Sequence, residues 1–291
     1  MHLLNTTPGE ISDGDEAIDL KQSPGELVIL SAADSDLACL SRAAAARPAG
    51  SPSVRLANLL RLKHPLSVDL YVERVIEKAR FVCIRLIGGR SYWPYGLEEI
   101  HRVCRTRGVP LAVLLEEKDD PDGFALSTID EEARQRIGRY LHHGGIDNAG
   151  QLLAYGAALA SLCGGRWREP APLLEAGIYW PNDRSVTLEN LMNHWTPGAP
   201  VAALLFYRAL VASGGTQAVD AMIEALRERG INPLPVHLHS LKNPFAVTLL
   251  GHLFAETKPD VILNATGFAT SAPGAQWFLR FSNVTDRSFG Q

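Results

Sequence analysis

VRLANLLRLKHPLSVDLYVERVIEKARFVCIRLIGGRSYWPYGLEEIHRVCRTRGVPLAVLL, residues 54–115, decides the fold. Residues 81–87 are apolar apart from Arg85 and stop at Gly88-Gly89. A short apolar run closed by glycine is the pattern of a central strand in a parallel sheet with both faces covered. Before it, Val68, Val72, Val75 and Ile76 share one face of a helix expected over 66–78. After it come a helix over 97–107 closed by Gly108 and a strand over 109–115. Strand and helix alternate, and in such sheets ligands bind beyond the carboxyl ends of the strands. The loop carrying Tyr92, Trp93 and Tyr95 is therefore the expected functional surface.

Working outward, residues 2–4 form a short candidate edge strand and 26–31 a buried one, followed by a helix over 37–46 capped by Asp34 or Ser35. PAGSP at 48–52 breaks that helix, and 54–59 is the next strand. Ser67 reads as a cap for the helix after His64-Pro65. The acidic, turn-rich 116–123 is a surface loop. Helices over 130–142 and 146–162 follow, and His142 and His143 point apart at a helix end where the dipole favours them. Residues 166–199, rich in Pro and Gly, read as a linker holding one short strand at 176–180. Strands at 201–207, 232–239 and 260–264, with helices over 217–229 and 244–256, then repeat the alternation. The fold class is α/β with mostly parallel, doubly wound, flavodoxin-like sheets in two domains. The expected bounds are 1–165, the linker 166–199, and a second, incomplete domain over 200–274, with an atypical tail at 275–291.

Composition narrows the function. The 291 residues are 46% hydrophobic and 21% charged with a formal net charge of -4, an ordinary globular make-up. With a pI near 6.1 and no Lys/Arg block, nucleic-acid binding is not expected. Residues 1–7 carry neither a basic leader nor an apolar span, so the expectation is a cytoplasmic chain without a membrane span. Cys39, Cys83, Cys104 and Cys163 are scattered and read as buried thiols. The sequons at Asn5, Asn264 and Asn283 carry no weight in such a compartment.

Neither G-x-x-x-x-G-K-[ST] nor a G-x-G-x-x-G after a strand occurs, so any ATP is handled by another chain. Ser213-Gly214-Gly215-Thr216, between a strand and a helix, fits two readings: amides holding an anion, or a turn capped by Thr216. His237 and His239 alternate on a strand and so face one side, as two metal ligands would, without an evident third. Arg85, inside an apolar strand, needs a carboxylate or an anionic ligand, and Asp69 or Glu73 could supply it. Tyr92, Trp93 and Tyr95 either stack on a flat conjugated ligand or close the loop over the core.

A resemblance lies in these residues and in motifs spread in order along the chain: the opening MHLLNTTPGEISDGDEAIDLKQSPGELVILSAADSDL, then SVRLANLLRLKHPLSVDLYVERV, RLIGGRSYWPYGLEEI, AGIYWP at 176–181, and the run from VAALLFYRAL to HSLKNP over 201–244. The chain resembles the large-subunit family of aerobic cobaltochelatase, the CobN family, which is similar to the H subunit of magnesium chelatase. The resemblance implies ATP-dependent insertion of Co2+ into hydrogenobyrinic acid a,c-diamide in cobalamin biosynthesis. ATP would be hydrolysed by AAA+ partner subunits, alongside a partner with an integrin-type domain. The large subunit would hold the corrin precursor and the metal, with His64, Arg85, Tyr92 and Trp93 as candidate contacts to the tetrapyrrole. Cobalt and ATP belong to the complex, and catalytic residues fall outside the matched motifs.

Family members are several times longer, and the resemblance stops near 271–274, so an N-terminal portion is expected, truncated or frameshifted at its tail and inactive alone. The alternatives are a stand-alone flavodoxin-like module for a small molecule, such as a nucleotide, flavin or sugar, and an inactive fragment.

Overall fold

In a computed structural model the structure describes residues 16–115, 125–162, 166–181, 183 and 186–267. The expected edge strand at 2–4, the acidic loop at 116–123, Cys163 and the tail at 275–291 lie outside the described residues. The chain divides into two units, one on each side of the Ala171–Pro172 bond.

The first unit is built on four parallel strands, β1 (Leu27–Ser31), β2 (Val54–Asn58), β3 (Phe81–Leu86) and β4 (Leu111–Leu115). They run in the order β2-β1-β3-β4. β1 and β3 are central, which is why both are apolar on two faces. Alternate residues serve opposite layers. Val28, Leu30, Val82 and Ile84 meet α2 (Pro65–Arg74) and α3 (Pro94–Arg107). Leu27, Ile29, Phe81 and Cys83 meet α1 (Asp34–Ala45), α4 (Glu131–His143) and α5 (Gly145–Leu159). The expected doubly wound α/β class is the observed one.

Several local expectations are corrected. α1 starts at Asp34, its N-cap is Ala33, and no side chain caps it. α2 is capped by His64, whose Nδ1 accepts from the Leu66 amide at 3.1 Å, and not by Ser67. Ser67 Oγ instead accepts from the Ile18 amide at 2.7 Å. The helix expected over 66–78 ends at Arg74, and Ile76–Lys78 is a separate 3-10 turn. His142 and His143 do not point apart, since their rings meet edge-on with centroids 5.5 Å apart.

The second unit holds β5 (Ala176–Ile178), α6 (Leu188–Met192), β6 (Val201–Tyr207), α7 (Arg208–Ala212), α8 (Gln217–Glu228), β7 (Asn232–Leu238), α9 (Pro244–Thr257) and β8 (Val261–Asn264). Its sheet order is β5-β7-β6-β8, parallel except for β5. Within 166–199, read from sequence as a linker, β5 pairs antiparallel with Val236–Leu238 of β7. That register lies beyond Pro233 and Pro235, which have no N–H to give a ladder. Ala203, Leu205, Leu234 and Val236 pack with residues of α9. Leu204 and Phe206 pack with Val219 and Ile223 of α8. Buried Asn232 is satisfied locally: its Oδ1 accepts from the Thr196 amide at 2.8 Å and its Nδ2 donates to the Thr196 carbonyl at 2.9 Å.

Candidate functional site

In the first sheet the chain moves outward from β1 to β2 and then crosses back to β3, so the strand order reverses between β1 and β3. A crevice outside the carboxyl ends of two such strands is where ligands of open α/β sheets bind. The register puts Ser31 opposite both Asn58 and Arg85, a polar row across the ends of three strands.

Arg85 is paired there with Asp36 of α1 rather than with Asp69 or Glu73. Its Nη1 donates to both carboxylate oxygens at 2.8 Å. Ser31 Oγ donates to Asp36 Oδ2 at 2.8 Å and accepts from the Ala33 amide at 3.1 Å. The ion pair is mostly enclosed, with side-chain exposures of 16% and 11%. Beside it, Asn58 Nδ2 donates to Asp34 Oδ1 at 2.8 Å. Asp36 lies 49 residues from Arg85, and only the adjacency of β1 and β3 brings them together. The sequence signal that could have found it was the Asp-Ser-Asp following the first buried strand.

The loop after β3 splits its aromatics between two tasks. Gly88 takes φ +99°, and a Cβ there would lie 2.6 Å from the Tyr92 ring, so only glycine lets that ring lie across the turn. Tyr92 is 73% exposed. Trp93 is 3% exposed, and its Nε1 donates to the Leu62 carbonyl at 2.8 Å. Tyr95 donates through its hydroxyl to Asp69 at 2.7 Å. The loop is thus clamped onto the turn that follows β2, where His64 also sits. Of the four candidate tetrapyrrole contacts, all fall at the carboxyl edge, Tyr92 presents a free aromatic face, and Trp93 is committed to the core.

Acid–base and nucleophilic chemistry find little purchase here. Asp36 already serves Arg85 and Ser31. Burial pushes the Cys39 thiol up to about 11 and those of Cys83 and Cys104 up to about 12, so they are inert. No group of three His, Cys, Asp or Glu side chains able to hold a metal occurs among the described residues.

In the second unit His237 is 5% exposed on β7, whereas His239 is exposed just past its end. A Cβ on Gly177 would lie 2.9 Å from His237 Nε2, so the strand opposite is glycine where the ring needs room. His237 Nδ1 has no hydrogen-bond partner among the described residues. Burial, and then the Arg208 guanidinium, lower its pKa to about 4. The same cation opposes a metal ion at that ring. Ser213-Gly214-Gly215-Thr216 follows α7 rather than the strand directly. Three of its amides are spent locally, Ser213 on the Ala209 carbonyl at 2.9 Å, Gly214 on the Val211 carbonyl at 3.1 Å and Gly215 on the Leu210 carbonyl at 2.7 Å. Thr216 does not cap α8 through its side chain.

The His237 shift has a measurable consequence. Below the ordinary histidine value the unfolded chain takes up a proton that the folded chain refuses until about pH 4, so stability rises with pH across that window. Between pH 7.5 and pH 5 the loss is about 2 kcal/mol by linkage. Urea unfolding of the wild type and of His237→Leu at both pH values reads it; an equal slope in the variant would remove His237 as the cause.

The described residues thus form two α/β units, the first with a polar and aromatic rim at its switch point. Comparisons with known proteins extend this description. The CobN/Magnesium Chelatase family profile matches residues 138–278. An aerobic cobaltochelatase subunit CobN of Sinorhizobium is 44% identical over 94% of this chain. Another, from Pseudomonas aeruginosa, is 40% identical over 94% of it. The chain spans 22% of the length of each of these relatives. The catalytic subunit of cobaltochelatase from Mycobacterium tuberculosis superposes with a TM-score of 0.63 at 26% identity, covering 82% of this chain and 18% of that one. Residues 138–278 therefore carry a CobN/magnesium chelatase family domain, in a chain similar to these relatives along nearly all of its length.

Proposed function

We propose that this chain supplies two α/β units of a cytoplasmic cobaltochelatase large subunit. In that complex Co2+, a substrate, is inserted into hydrogenobyrinic acid a,c-diamide, and AAA+ and integrin-domain partners hydrolyse the ATP. The observation that carries the reading is identity of 44% and 40% to aerobic cobaltochelatase subunits along nearly the whole chain. Absence of a phosphate-binding motif from the sequence is consistent with that division of labour.

Within this reading the β1/β3 crevice contacts the macrocycle. Tyr92 stacks on the flat conjugated ring, His64 lines the neighbouring turn, and Arg85, held by Asp36, aims the loop that presents Tyr92. Trp93 fixes that loop from beneath. Neither His237 nor His239 is assigned the metal, because one is buried beside a cation and the other stands in solvent.

Titrating the chain with hydrogenobyrinic acid a,c-diamide, followed by the absorbance of the ligand, tests this. Saturable binding is expected, weakened about tenfold by Tyr92→Ala, the share of one stacked aromatic. Binding that Tyr92→Ala leaves unchanged would move the contact elsewhere on the chain.

A further inference from the structure

The carboxyl edge of the first sheet carries the proposed recognition rim, but a cleft opens at the opposite, amino-terminal edge. There the turns entering β3 and β4 meet the end of α5 and enclose about 500 Å³, within the size range of small-molecule sites. Val109 and Leu159 line it, and Lys78, Arg80, Arg107 and Ser161 stand around it. Its single carboxylate, Glu77, is already bound by Arg107 at 2.9 Å.

Cations beside helix ends often serve the last carbonyls. Here backbone amides already do so. The Gly108 and Val109 amides donate to the Arg105 and Cys104 carbonyls at the end of α3. The Ser161 and Leu162 amides donate to Ala158 and Ala157 at the end of α5. Lys78 and Ala79 do the same for Val75 and Ile76. The Lys78 ammonium and the Arg80 guanidinium form no salt bridge or side-chain hydrogen bond among the described residues, and both are exposed. A lysine point charge, an arginine fork and a serine hydroxyl around one concave wall form a donor set suited to a phosphate group.

We propose that this cleft binds a small phosphate-bearing anion, independently of the tetrapyrrole reading. Pyrophosphate is the probe, titrated calorimetrically into the whole chain, with chloride at matched ionic strength and citrate as controls. Expected is saturable one-to-one binding to pyrophosphate, weakened about tenfold or more in a Lys78→Ala/Arg80→Ala double variant that unfolds at the wild-type temperature. Since both side chains are exposed, that variant should fold. Heat that chloride reproduces, or affinity that survives the double substitution, overturns the site. Equal affinity for citrate overturns its assignment to phosphate.

Discussion

Replacing Trp93 with alanine is expected to cost the first unit about 4 kcal/mol, the usual loss for a buried tryptophan truncated to a methyl group. Two contributions add. The indole fills the layer under α2 and α3, where it is 3% exposed. Its Nε1 also satisfies the Leu62 carbonyl at 2.8 Å, which a truncation strands beneath the loop. Trp93→Phe should lose less, keeping most of the volume and forfeiting the bond. Guanidinium unfolding followed by far-ultraviolet circular dichroism reads both, and the transition of residues 172–291 should stay where it is. Tyr92→Ala, at a ring already 73% in solvent, should leave both transitions within about 0.5 kcal/mol. A Trp93→Ala protein as stable as the wild type would show that the indole is not the anchor of the loop.

The second large effect belongs to Asp36. Asp36→Ala leaves the Arg85 guanidinium without its two bonds to carboxylate inside the crevice, and removing one partner of an enclosed ion pair costs about 3 kcal/mol. Asp36→Asn retains an acceptor for Ser31 and should fall between wild type and alanine. The double variant Asp36→Ala/Arg85→Leu should recover part of the loss, because the charge deprived of its Asp36 carboxylate is gone. Measured in the same unfolding series, a double variant as unstable as the sum of its single variants would rule out coupling between the two side chains. On the proposed reading, a loop re-aimed by Asp36→Ala should also weaken binding of the corrin precursor.

The rest of the site shows where sequence reasoning runs short. Arg85 stood out because a charge in an apolar strand demands a counter-charge, and that demand was correct. The candidate carboxylates Asp69 and Glu73 lie on the preceding helix. The true partner comes from α1, because β1 lies beside β3 and the register carries Ser31 next to Arg85. Likewise the three aromatics of one loop were indistinguishable by composition. A rotation of the chain through Gly88 and the turn at Arg90–Tyr92 sends one ring to solvent and the next into the core. The basic cleft at the opposite edge was invisible for the same reason, since Lys78, Arg80 and Arg107 become neighbours only when β3 and β4 pair.

The sequence by itself determined the strand–helix alternation, the buried character of β1 and β3, and the family resemblance, because periodicity and ordered motifs are local properties of the chain. The tertiary structure alone decided which strands became neighbours. That choice paired Asp36 with Arg85, buried Trp93, left His237 Nδ1 without a hydrogen-bond partner among the described residues and gathered the cations of the cleft. Each of these depends on contacts between residues far apart in sequence, which are fixed by the packing of whole layers rather than by any local pattern.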